Sequence, residues 1–118
     1  GVGLVIPSGT AIQNARTSHL GTDLTRDGYH LSRPYGRYIA SCTWLEAVFG
    51  INPVGNAYCP EGMTLKECRT AQKAAHKAVR KPTKVSREGW QVNQGLLSRK
   101  CRRPILMHRW PSDGSARL

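Results

Sequence analysis

Three stretches of the chain carry a readable rhythm of apolar and polar positions. The first is short. Val2, Leu4, Val5 and Ile6 form an apolar run closed by Pro7-Ser8-Gly9, which predicts a buried strand ending in a turn. A strand this apolar calls for cover on both faces, as in a parallel sheet. Between Thr10 and Arg16, one or two helical turns would place Ala11, Ile12 and Ala15 on one side. Residues 17–29 are polar and broken by glycines, and so predict a loop.

The second stretch predicts a helix over about residues 34–49. Ser32 is suited to cap it, and Pro34 falls in the first turn, where its missing N–H does no harm. Tyr38, Cys42, Leu45 and Phe49 recur at helical spacing and form one apolar stripe. Gly50 suits a C-terminal cap, and Pro53 forbids continuation. The third stretch predicts a helix over about 65–79. Thr64-Leu65-Lys66-Glu67 is a capping box. Leu65, Cys68, Ala71 or Gln72, Ala75 and Val79 would face inward, while Lys66, Lys73, Lys77 and Arg80 form a solvated face. Beyond Lys81-Pro82 the rhythm fades. This divides the chain into a patterned segment, 1–80, and a basic extension, 81–118, for which the sequence predicts little structure.

Charge follows the same division. The whole chain of 118 residues has a formal net charge of +11. Residues 1–80 hold nine Lys/Arg and five Asp/Glu, a net +4, and residues 81–118 hold nine and two, a net +7. Taken whole, the charge suggests a nucleic-acid partner. Divided, it leaves an ordinary basic helix surface and a basic tail. That tail holds Trp90, Trp110 and the cluster Arg99-Lys100-Cys101-Arg102-Arg103. It reads first as a non-homologous extension, such as a frameshifted end. A solvated tail and a backbone-binding patch formed by Arg99, Lys100, Arg102 and Arg103 are the alternatives. The chain has 39% apolar and 7% aromatic residues, lean for a self-sufficient core but not a disordered composition. It has no run of about 18 apolar residues that would span a membrane.

The segment with most chemical content is Arg26-Asp27-Gly28-Tyr29-His30-Leu31-Ser32. A turn at Gly28 can fold the Asp27 carboxylate back onto His30 Nδ1–H. That contact would fix the imidazole tautomer and leave Nε2 free as a general base. Alone, Asp-x-x-His is a common pattern, and a surface Asp capping a turn beside an exposed His satisfies it equally well.

The order of the motifs adds to this. Val5 to Arg16, a loop, then Arg26 to Ser32 and Gly36-Arg37-Tyr38, with Asn52-Pro53-Val54-Gly55 and the capping-box helix after them, resemble the C-terminal portion of SGNH/GDSL-type hydrolases. The branch most similar is an uncharacterised domain of unknown function, and the likeness covers about residues 2–80. It implies an α/β fold, in which this segment is the terminal strand–loop–helix–helix part of a three-layer α/β/α, flavodoxin-like sandwich. It also implies a serine esterase or acylhydrolase acting on an ester or an acylated carbohydrate. His30 would be the general base and Asp27 its orienting partner. The family's Gly-Asp-Ser nucleophile block and its oxyanion-hole Gly and Asn blocks do not occur here; Ser8 and Ser32 stand in the wrong contexts. The expectation is therefore a C-terminal fragment, inactive alone, whose partner is the N-terminal part of the domain. No signal peptide is visible, although the resemblance implies an exported full-length enzyme, periplasmic or extracellular.

No cofactor is implied. Cys42, Cys59, Cys68 and Cys101 contain no Cys-x-x-Cys pair. Cys42 and Cys68 fall on apolar helix faces, where a buried thiol is the default, but Cys59 and Cys68 could instead pair under oxidising conditions. His19, His76 and His108 stand alone and read as surface residues.

Overall fold

A computed structural model describes residues 1–86. Three helices pack on one another in every pairing: α1 (Ser8–Arg16), α2 (Tyr35–Phe49) and α3 (Leu65–Arg80). None is long and apolar enough to cross a membrane. Helix α3 begins at the expected box. The Thr64 side chain accepts from the Glu67 N–H, and the Glu67 carboxylate accepts from the Thr64 N–H at 2.8 Å. The bond from the Thr64 N–H, chiefly, holds the Glu67 carboxyl below its ordinary value. Helix α2 ends where Gly50 turns left-handed, at φ +69°, and returns its N–H to the Glu46 carbonyl.

The centre of the fold is the small-residue face of α3. Cys68, Ala71, Ala74, Ala75 and Ala78 are buried there against Ala11, Ile12 and Ala15 of α1 and against Tyr38, Ile39 and Cys42 of α2. Alanines let the three backbones approach closely, so the core is tight although it holds few large side chains. Its buried polar groups are bonded. Asn14 Nδ2 donates to the Ala74 carbonyl at 3.0 Å, and Thr43 donates to the Ile39 carbonyl. Gln72 Nε2 donates to Tyr38 Oη and to the Asn56 carbonyl, while its Oε1 accepts from the Gly55 N–H. This one side chain therefore ties the 52–58 loop to both long helices. A Cys59–Cys68 disulfide fixes the segment leading into α3. Cys42 is a free, buried thiol.

Several expectations are revised. Residues 2–6 do not form a strand: among the described residues the one β pairing is an isolated bridge between Thr25 and Leu31. A strand exists only through a paired neighbour, and no described segment pairs with this run. Helix α1 starts at Ser8, two residues earlier than expected. Pro34, not Ser32, stands at the N-cap of α2. Leu65 points outward, 64% exposed. The buried side of α2 comprises Gly36, Tyr38, Ile39, Cys42 and Thr43, whereas Phe49 is 70% exposed. The expected stripe was ambiguous because α2 is apolar on more than one face. Cys68 is buried as expected but as half of a disulfide. Residues 87–118, with Arg99, Lys100, Arg102, Arg103 and His108, lie outside the described residues.

Candidate active site

The loop from Leu24 to Ser32 is anchored at its base. Leu24 is fully buried, its carbonyl accepts from the Ser32 N–H at 2.8 Å, and the Arg26 N–H donates to the His30 carbonyl at 2.9 Å. Gly36, in the first turn of α2, lies against this base. A Cβ there would sit 2.6 Å from the Leu24 carbonyl oxygen, so the close approach requires glycine. Ser32 Oγ accepts from the Gly36 N–H at 3.2 Å. The hydroxyl thus serves the start of α2 without standing at the formal cap.

From this base the loop presents Asp27 and His30 to solvent. Gly28 adopts φ +93°, which turns the chain back so that both residues meet. Asp27 Oδ2 lies 2.5 Å from His30 Nδ1. Asp27 Oδ1 accepts from the N–H of His30 at 2.8 Å and of Tyr29 at 3.3 Å. The carboxylate is therefore held by the loop it orients. The side-chain bond to His30, followed by the backbone bonds, lowers the Asp27 carboxyl below its ordinary value. Among the described residues no protein group bonds His30 Nε2, and the imidazole is half exposed. The structure brings together the two residues singled out by sequence.

Two neighbours escaped the sequence reading. The Tyr29 ring lies against the imidazole, centroids 4.1 Å apart and tilted by 39°. Arg26 Nε is 3.7 Å from Asp27 Oδ2. Arg26 precedes the pair and Tyr29 lies within it, so adjacency was the signal that could have found them. A different carboxylate–His pair was also missed: His76 Nδ1 lies 2.8 Å from Glu46 Oε1, joining α3 to α2. His76 does not stand alone, and His19 likewise meets Thr70 Oγ1 at 2.9 Å.

Chemically, an oriented imidazole with an open nitrogen can accept a proton from a nucleophile. No nucleophile accompanies it among the described residues. Ser41 Oγ donates to the Arg37 carbonyl in α2, and Ser32 Oγ is engaged as described. Burial pushes the Cys42 thiol up to about 11, far from the range of a reactive thiolate. No group of three or more His, Cys, Asp or Glu suited to a metal occurs among the described residues. A groove of about 630 Å³ runs beside α2, with Arg33 and Arg37 near an apolar floor of Tyr38, Cys42 and Leu45, but neither Asp27 nor His30 lines it.

Residues 1–78 match the family model described as "Domain of unknown function (DUF4886)". Among solved structures, the chain is similar to a DUF4886 family protein from Bacteroides uniformis ATCC 8492, with 52% identity and a TM-score of 0.70. That likeness covers 73% of this chain and 33% of the other, so the chain spans about a third of the solved protein's length. No curated protein matches it.

Proposed function

We propose that this chain, which belongs to the DUF4886 family, supplies the acid–base segment of an SGNH/GDSL-type serine esterase or acylhydrolase. His30 is the general base, and Asp27 holds its tautomer and orientation. The observation that carries the reading is the pairing of Asp27 Oδ2 with His30 Nδ1, with Nε2 left open on an exposed loop. This is the arrangement a base needs when a serine hydroxyl approaches from another segment. The Gly-Asp-Ser and oxyanion-hole blocks belong, on this reading, to the remaining part of a three-layer α/β domain. Its substrate is an ester or an acylated carbohydrate. The chain alone is inactive, because a base without a nucleophile and an oxyanion hole has lost most of the apparatus of acyl transfer.

The test uses p-nitrophenyl acetate. The chain alone should not turn it over. A chimera with the unmatched segment of the Bacteroides uniformis protein fused ahead of residue 1 should do so, and His30→Ala should lower its kcat by about 10⁶-fold. Turnover by the free chain that His30→Ala abolishes would refute inactivity alone. A chimera that is inactive, or active but indifferent to His30→Ala, would refute the base assignment.

A further inference from the structure

The groove beside α2 is walled on both sides by this chain. Its floor is Tyr38, Cys42 and Leu45 of α2, and its far wall is Tyr58 and Pro60. That wall is held from several directions. Tyr38 Oη donates to the Tyr58 carbonyl at 2.8 Å, and Gln72 Nε2 donates to the Asn56 carbonyl at 3.0 Å. The Tyr58 N–H donates to Asn56 Oδ1, and the neighbouring Cys59 is bonded to Cys68 on α3. The groove is therefore preformed. Its volume of about 630 Å³ falls in the range of small-molecule sites, about 300–1,000 Å³.

Charge is confined to one end. Arg33 and Arg37 line the groove where α2 begins, and the rest of the lining is apolar or neutral. Among the described residues no carboxylate pairs with either guanidinium, whereas Arg26 has Asp27. The first turn of α2 holds no acidic residue, so the helix dipole adds to the positive field at this end. Further along, the Ser41 hydroxyl is engaged by the Arg37 carbonyl. From Pro34 to Leu45 the groove follows about 16 Å of helix axis. A long apolar trough with unpaired guanidiniums at one end complements a linear apolar body that carries a single anionic head.

We infer that this groove is a binding site for a free fatty carboxylate of medium chain length. The carboxylate lies against Arg33 and Arg37, and the alkyl chain lies along Tyr38, Leu45 and Tyr58. The inference rests on no part of the proposed ester chemistry, since neither Asp27 nor His30 lines the groove.

The test titrates the 118-residue chain with octanoate while amide resonances are followed by NMR. Saturable shifts are expected at Arg37, Ser41 and Tyr58. Octanol, the same chain without the charge, should bind at least about tenfold more weakly. The double variant Arg33→Gln/Arg37→Gln should weaken octanoate about tenfold and leave octanol unchanged. Tyr58→Ala, which removes the wall, should weaken both ligands by about threefold or more. Lys66→Gln/Arg69→Gln, on the exposed side of α3, should leave both unchanged. All of these side chains are exposed, so the helical circular dichroism of each variant should match the parent. No saturable binding, or equal affinity for octanoate and octanol, would overturn the inference. Shifts centred on Tyr29 and His30 would place the ligand on the loop and overturn it as well. Phosphatidylglycerol vesicles that retain the chain through Arg33 and Arg37, where free octanoate does not bind, would overturn it in favour of a membrane surface. A completed chimera that binds octanoate but hydrolyses no ester would uphold the groove and sink the proposed activity alone.

Discussion

The described residues hold two carboxylate–histidine pairs, and their settings could hardly differ more. Asp27 and His30 lie three residues apart on an exposed loop, with side chains 40% and 49% accessible. Glu46 and His76 lie thirty residues apart on facing helices, with side chains 13% and 23% accessible. The contact distances are alike, but the consequences are not. In the helix seam the imidazole is spent on joining α2 to α3, where little water can replace either partner. On the loop, water competes for both groups, so the bond contributes little to folding. What the loop retains is an oriented imidazole with one open nitrogen. Accessibility, not the pairing itself, separates the two pairs.

The comparison breaks most sharply at the support of the loop pair. Gly36→Ala would drive a methyl group toward the Leu24 carbonyl, and the base of the Asp27–His30 loop would have to shift. A loss of about 3 kcal/mol is expected by thermal or denaturant unfolding, at the upper end for overpacking. The His30 imidazole resonances should move while those of His76 stay. A neutral Gly36→Ala would mean that the loop is not anchored there. His76→Ala comes next. It leaves the Glu46 carboxylate without a partner in the seam and should cost about 2 kcal/mol. A loss below about 0.5 kcal/mol would place this pair with the exposed one.

The same contrast explains what the sequence made legible. The capping box at Thr64–Glu67 and the Asp27–His30 contact each join residues three apart, so residue type and spacing sufficed. Glu46 and His76 meet only once α2 and α3 pack, and nothing local to either residue announces it. The run at 2–6 was expected as a strand because its side chains fit one. A strand, however, requires a neighbour, and the described residues supply none. The buried side of α2 was misassigned at Phe49 for a related reason. A helix apolar on two sides gives no single stripe, so periodicity cannot tell which side meets α3. Membership of the DUF4886 family was legible only to the level of a domain of unknown function. The hydrolase reading rests on the loop and its ordered motifs.

The smallest effects concern the loop pair itself. His30→Ala should change stability by less than about 0.5 kcal/mol, since both partners are largely solvated. It should therefore leave the unfolding curve almost untouched while removing any activity of the completed domain. A loss near that of His76→Ala would show that the loop pair is structural. The pH dependence sharpens the point further. The folded-state Asp27 carboxyl is lowered below its ordinary 3.8 by His30 and by the loop amides. A lowered carboxyl contributes stability that is present above the ordinary value and is lost as pH falls through the lowered one. Between neutral pH and 3.8 the loop contact should therefore persist, and it should release only below that. Carboxyl carbon resonances followed by NMR should show Asp27 titrating below its ordinary value of 3.8. In Asp27→Asn, His30 should keep its place in the loop less well, with the His30 N–H exchanging faster. An Asp27 that titrates at its ordinary value would mean that water, and not His30, occupies its second oxygen, and the imidazole would then have no fixed tautomer to offer.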